Sequence, residues 1–144
     1  MTAPSPDEVL ALLLRGRLAC RDPETLAAYR ANVDWELRNG RYVTRRDPAG
    51  RLIGWAAWIR TDGRGRRLLR RAEGFEQLAR KRRTFHTSRG FCIYVTSAAV
   101  ADGAPAGLLR EMKRFIVAAN PGATRICGHA RRRQRWREQT LRAA

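Results

Sequence analysis

Three pieces of one stretch decide the fold: Phe91-Cys92-Ile93-Tyr94-Val95-Thr96, the apolar stripe from Leu108 to Ala119, and Ala123-Thr124-Arg125-Ile126-Cys127-Gly128. The first is β-rich and almost continuously apolar, as a strand covered on both faces must be. It runs on through Ser97-Ala98-Ala99-Val100 into Ala101-Asp102-Gly103-Ala104-Pro105-Ala106-Gly107, a segment rich in turn formers. Leu108, Leu109, Met112, Phe115, Ile116 and Ala119 then recur at helical spacing, which predicts a helix over about 105–120 stopped by Pro121-Gly122. A short strand closes the unit. A strand–helix–strand connection of this length is right-handed and sets its two strands parallel.

Upstream, Arg41-Tyr42-Val43-Thr44-Arg45 and Leu52-Ile53-Gly54-Trp55-Ala56-Ala57-Trp58-Ile59 flank the turn cluster Asp47-Pro48-Ala49-Gly50 and predict a hairpin. Trp55 and Trp58 are three residues apart, so in a regular strand they face opposite sides. One is expected in the core, the other beneath a helix or exposed. Thr61-Asp62-Gly63-Arg64-Gly65 reads as a loop, and Leu68, Leu69, Ala72, Phe75, Leu78 and Ala79 mark a basic amphipathic helix to about Arg83. At the start, Ser5, Pro6 and Glu8 compose a capping box for a helix to about Arg17. Asp22-Pro23-Glu24 opens a second helix, with Leu26, Ala27, Tyr29, Val33 and Leu37 on one face, ending at Asn39-Gly40. The order is α-α-β-β-α-β-α-β: an α/β (α+β) domain over 1–130 with one mixed sheet covered by helices, followed by a basic tail over 131–144.

The chain has 144 residues, with 30 Lys+Arg against 13 Asp+Glu and a formal charge of +17. A 44% hydrophobic content excludes a disordered polyelectrolyte. No apolar run approaches the roughly 20 residues that span a bilayer. The start carries Asp7 and Glu8 instead of a basic signal-peptide head, and Cys20, Cys92 and Cys127 give neither a disulfide framework nor a metal-ligand spacing. The expectation is a reduced, soluble, cytoplasmic protein. Charge is unevenly placed: net −2 over residues 1–37, +12 over 38–89, −1 over 90–109 and +8 over 110–144. Lys81 and Lys113 are the two lysines, so the positive charge is nearly all guanidinium, whose planar fork suits phosphate. A GC-rich coding bias explains Arg over Lys but not the scarcity of Asp and Glu. A field this positive attracts polyanions, and nucleic acid is the expected partner class.

With these elements in place, the chain resembles the GCN5-related N-acetyltransferase (GNAT) fold without its first strand and with its C-terminal elements trimmed. In element order it is similar to the toxin-activating lysine acyltransferases over about residues 18–130. The resemblance rests on Ala31-Asn32-Val33, Arg41-Tyr42-Val43-Thr44-Arg45-Arg46-Asp47, Leu52 to Trp58, the Phe91-to-Val100 strand and the Leu108-to-Phe115 helix. It implies acetyl-CoA or another acyl-CoA as cofactor, its pyrophosphate held by backbone N–H groups at a helix N-terminus. The matching stretch implies Val100, Asp102, Gly103, Ala104, Ala106 and Gly107 as the cofactor-binding residues. Ala101 stands where that motif has a basic residue or Gln, Ala104 where it has Gly, and Pro105 lacks a donor. An ordinary helix cap at Asp102 or Gly103 accounts for the same letters. The lysine acyltransferases' catalytic His falls at Cys20 and their catalytic Asp near Tyr94, so their chemistry is not carried over.

Candidate catalytic residues are Tyr94, Ser97 and His129. Tyr94 and Ser97 lie on the strand that, in the resembled fold, parts from its neighbour to admit the acyl arm. Tyr94 also reads as a core tyrosine. His129 falls at the C-terminal edge of the last parallel strand, and the neighbouring arginines disfavour its charged form, leaving a usable base. Cys92 and Cys127 read as small buried hydrophobes. No metal site is expected. Arg66, Arg67, Arg70, Arg82, Arg83, Arg131, Arg132, Arg133 and Arg135, with Trp136 interleaved as a base-stacking aromatic, are the candidate nucleic-acid-binding residues. Two functions stay open: a GNAT-like acyltransferase acting on or docking to nucleic acid, and a non-catalytic nucleic-acid-binding or assembly protein on the same fold. An acyltransferase acting on an acidic carrier protein or peptide is a third reading.

Overall fold

The computed structural model describes residues 2–14, 22–39, 41–71, 90–130 and 135–141. Among these lie four helices and five strands: α1 (Pro6–Leu14), α2 (Pro23–Asn39), β1 (Tyr42–Arg46), β2 (Leu52–Thr61), α3 (Gly63–Arg70), β3 (Cys92–Val100), α4 (Leu108–Ala118), β4 (Arg125–Ala130) and β5 (Arg135–Thr140). The strands hydrogen-bond in the order β1-β2-β3-β4-β5, a mixed sheet. The β1–β2 hairpin is antiparallel, with Tyr42 opposite Ala57. β3 and β4 are parallel, as a crossover through α4 requires, with Cys92 opposite Arg125 and Val95 opposite Gly128. The expected mixed α/β architecture and element order are therefore borne out as far as β4.

The chain divides into two compact units, Met1–Ala57 with Ser97–Phe115 and Trp58–Thr96 with Ile116–Ala144. In the first, the capping box forms as expected: the Ser5 amide donates to Glu8 Oε1 at 3.1 Å and the Glu8 amide to Ser5 Oγ at 3.2 Å. Asp22 opens α2 by accepting from the Thr25 amide at 3.1 Å. The core gathers Val9, Leu10, Leu12 and Leu13 of α1, Val33 of α2, Ile53 and Trp55 of β2, Ala99 of β3 and Leu108 of α4. Burying each large side chain contributes about 1.5–3 kcal/mol. Tyr42 stacks on Trp55 at 5.0 Å between ring centres. Arg46 pairs with Glu8 at 2.6 Å, and the guanidinium holds the Glu8 carboxyl below its ordinary value.

In the second unit, Trp58, Ile59, Leu69, Ile93, Tyr94, Ile116 and Ile126 are buried. The predicted loop at 61–65 is instead the start of a helix. Asp62 caps α3 by accepting from the Gly65 amide at 2.8 Å, so α3 begins at Gly63. The rest of the predicted basic helix, to Arg83, lies outside the described residues. Gly90 is required by packing: a Cβ there would stand 2.2 Å from the Thr61 carbonyl. Trp55 and Trp58 are both buried, because β2 is covered on both faces from Leu52 to Ile59. The basic tail expected from Arg131 onward contains a strand. β5 pairs antiparallel with all of β4, His129 opposite Trp136 and Cys127 opposite Glu138.

Candidate functional site

In the first unit, β3 leads into the segment that the resemblance to the GNAT fold implies as phosphate-binding. The Ala101 amide donates to the Ile53 carbonyl at 2.8 Å, which fixes the strand end. Two turns follow, with Gly103 at φ +77° and Gly107 at φ +86°, a left-handed conformation that favours glycine. The expected helix start near Pro105 moves to Leu108, because the chain spends 101–107 on these turns; Asp102 and Gly103 therefore sit in a turn and do not cap the helix. The bonds made here are Ala104 amide to Ala101 carbonyl (3.1 Å), Leu108 amide to Pro105 carbonyl (3.2 Å) and Glu111 amide to Gly107 carbonyl (2.9 Å). Among the described residues the amides of Ala106, Gly107, Leu109 and Arg110 have no acceptor. Val100, Asp102, Gly103, Ala106 and Gly107 are exposed, Ala104 half-buried, and space is open around both glycines. Donors without acceptors at the positive end of an eleven-residue helix suit an anion.

The same unit brings Ser97 into a polar network that sequence reasoning missed. Ser97 Oγ accepts from Trp55 Nε1 at 2.9 Å and donates to Glu36 Oε2 at 2.8 Å. The other Glu36 oxygen accepts from Asn32 Nδ2 at 2.8 Å. Glu36 is 2% exposed and Asn32 3%. A buried carboxylate is tolerated only when its oxygens are hydrogen-bonded, as both are here. No local signal singles out Glu36, whose Ser97 partner is 61 residues away.

In the second unit, Tyr94 and His129 meet at the end of the β3–β4 ladder. The Tyr94 hydroxyl lies 3.0 Å from His129 Nδ1, and with the imidazole proton on Nε2 the hydroxyl donates. Tyr94 is buried and His129 half-buried. Trp136 completes the cluster, 6.0 Å from the Tyr94 ring and 5.1 Å from the imidazole. Its rings thus pack on Tyr94 and His129, and its indole nitrogen is buried. Cys92 and Cys127 are buried with their sulfurs 3.0 Å apart. The hydrogen bond from Cys127 lowers the Cys92 thiol's pKa, and the same bond, with burial, raises that of Cys127.

The candidate nucleic-acid residues fall into three groups. Arg67 and Arg70 are exposed on α3. Arg66 is turned toward Glu138, donating through Nη2 at 2.7 Å and also through Nε, while Arg125 reaches the same carboxylate at 2.8 Å. Arg82, Arg83, Arg131, Arg132, Arg133 and the Arg135 side chain lie outside the described residues. Among the described residues no group of three His, Cys, Asp or Glu could hold a metal ion, and no helix is long and apolar enough to cross a membrane.

No family model and no curated protein matches the sequence. Solved structures do. The GphF GNAT-like decarboxylase in complex with isobutyryl-CoA is 20% identical and superposes with a TM-score of 0.60 over 87% of this chain and 62% of its own. The loading GNATL domain of CurA from Lyngbya majuscula is 13% identical, with a TM-score of 0.61 over 90% of this chain and 63% of its own. The chain thus spans less than two thirds of either structure, and its fold is GNAT-like.

Proposed function

We propose that this GNAT-like domain binds acyl-CoA and transfers its acyl group, and that its arginine-rich surface docks on nucleic acid. One observation carries the cofactor reading: the turn before α4 and the first turn of α4 together present four backbone amides that have no acceptor among the described residues, beside two open, left-handed glycines. The chemistry of that donor set fits a pyrophosphate, and a structure of the same fold, GphF, is described with isobutyryl-CoA. The amides of Ala106, Gly107, Leu109 and Arg110 would donate to the phosphate oxygens. When bound, the cofactor supplies an acyl carbon activated as a thioester. Tyr94 and His129 form a hydroxyl–imidazole pair able to hold or release a proton at the Tyr94 oxygen.

The docking reading is supported by the +17 charge and by exposed Arg67 and Arg70. Titrating acetyl-CoA into protein stripped of nucleic acid tests the cofactor reading. Saturable binding is expected. No binding at millimolar concentration leaves the non-catalytic, nucleic-acid-binding reading, and an acidic carrier protein competing with nucleic acid for the same arginines would point to the third.

A further inference from the structure

We infer that the exposed face of α3 takes a single-stranded nucleic acid, with an unpaired base stacked on the ring of Phe91 and the flanking phosphates on guanidinium groups. The inference rests on the nucleic-acid docking reading and adds the strandedness of the partner and the residue that selects it. Arg64, Arg67, Arg70 and Arg71 are exposed, and at helical spacing they share the side of α3 opposite buried Gly65 and Leu69. α3 carries no acidic residue, and the Asp62 carboxylate at its start is engaged by the Gly65 amide at 2.8 Å. Among the described residues no hydrogen bond or ion pair engages any of the four guanidinium groups. Four like charges within about 10 Å of helix axis repel one another, and a polyanion relieves that repulsion.

Charge alone does not choose among polyanions; Phe91 does. Its ring is 37% exposed and has no aromatic partner among the described residues. It lies against the arginine face: a Cβ built on Gly63 would stand 3.7 Å from Phe91 Cε1 and 3.9 Å from Arg67 Nη1. Gly63 thus brings ring and guanidinium to one spot, with no side chain of its own to cover either. The backbone fixes the ring's position. Gly90 packs on the Thr61 backbone, and the Phe91 carbonyl accepts from the Thr124 amide at 2.8 Å. A single strand offers both complements, phosphates for the arginines and an open base face for the ring. A duplex matches the charges but keeps its base faces stacked inside. An acidic peptide matches the charges and leaves the ring unstacked.

The test is fluorescence anisotropy of a labelled mixed-sequence oligonucleotide, single-stranded and then annealed to its complement, with protein stripped of bound nucleic acid. Wild type should bind the strand more tightly than the duplex. Phe91→Leu keeps the residue apolar and removes the stacking face. Its strand affinity should fall about fivefold or more and its duplex affinity hold within about twofold, with the salt slope unchanged. Phe91→Tyr keeps the ring and should stay within about twofold of wild type on the strand. Strand affinity of Phe91→Leu equal to wild type overturns the stacking site and leaves arginine docking standing. Equal losses on strand and duplex make Phe91 a structural residue and overturn the stacking site as well. Tighter binding of polyglutamate than of the strand at the same salt overturns it in favour of an acidic protein partner. Wild type that binds neither strand nor duplex overturns the docking reading, and the stacking site with it.

Discussion

Glu138 grips the guanidinium of Arg66 with both carboxylate oxygens, and the two side chains are 20% and 17% exposed. Arg66 therefore works within the fold, tying α3 to β5, although its place among arginines reads as a phosphate contact. The guanidinium holds the Glu138 carboxyl below its ordinary value of 4.5. A carboxyl depressed in the folded state contributes stability above its unfolded value and loses it as pH falls through the folded one. Glu138→Gln is expected to cost about 1–3 kcal/mol at neutral pH. In urea unfolding, that gap should be full at about pH 7 and close as the pH falls well below the ordinary carboxyl value.

Arg67 and Arg70 should behave in the opposite way. Replacing each with Ala is expected to leave the unfolding midpoint unchanged within about 0.5 kcal/mol. Each should also flatten the slope of log affinity against log salt by about one for a single-stranded oligonucleotide. Arg66→Ala should lower the midpoint and leave the slope unchanged. Fluorescence anisotropy over a salt series separates the two kinds of arginine.

Two glycines of unlike cause should respond unequally to alanine. At Gly90 the added Cβ meets the Thr61 backbone of β2 at 2.2 Å, and backbone cannot give way as a flexible side chain would, so Gly90→Ala should cost about 3 kcal/mol or more. At Gly50, φ is +87° with open space around it, and Gly50→Ala should cost only the left-handed penalty of about 1–2 kcal/mol. Thermal unfolding of the two variants gives the ranking.

Asp102 places a carboxylate in the turn proposed to hold a pyrophosphate. Asp102→Asn removes that charge and keeps the shape, so acetyl-CoA should bind about two- to fivefold tighter by calorimetry at low salt, with the gain shrinking as salt screens it.

The elements with strong local chemistry were legible in the sequence. The Ser5–Glu8 capping box, the Asp22 cap, the Asp47-to-Gly50 turn and the parallel β3–β4 pair all stand where spacing and turn residues put them. β5 was not legible. Arg135-Trp136-Arg137-Glu138-Gln139-Thr140 has no apolar alternation, because this end strand leaves Arg137, Gln139 and Thr140 exposed and is held by its ladder to β4 and by the Glu138 pairs. Gly63 and Gly65 disguised the start of α3, whose first turn is set by the Asp62 cap and not by propensity. At the candidate site, Tyr94, Ser97 and His129 could be named from their strands. Glu36 could not, since a glutamate in the last turn of α2 reads as solvated until its partner on β3 is known. The sequence offers Trp136 as a base-stacking aromatic among arginines, and no local pattern announces that its rings pack on Tyr94 and His129.

The central claim is that the turn before α4 holds a phosphate of acyl-CoA, and the most direct measurement is an amide chemical-shift titration of labelled protein with acetyl-CoA. The account predicts saturable shifts at Ala106, Gly107, Leu109 and Arg110, weakened by competing inorganic pyrophosphate. Saturation with those four amides unmoved, or no shift anywhere at millimolar acetyl-CoA, would contradict it.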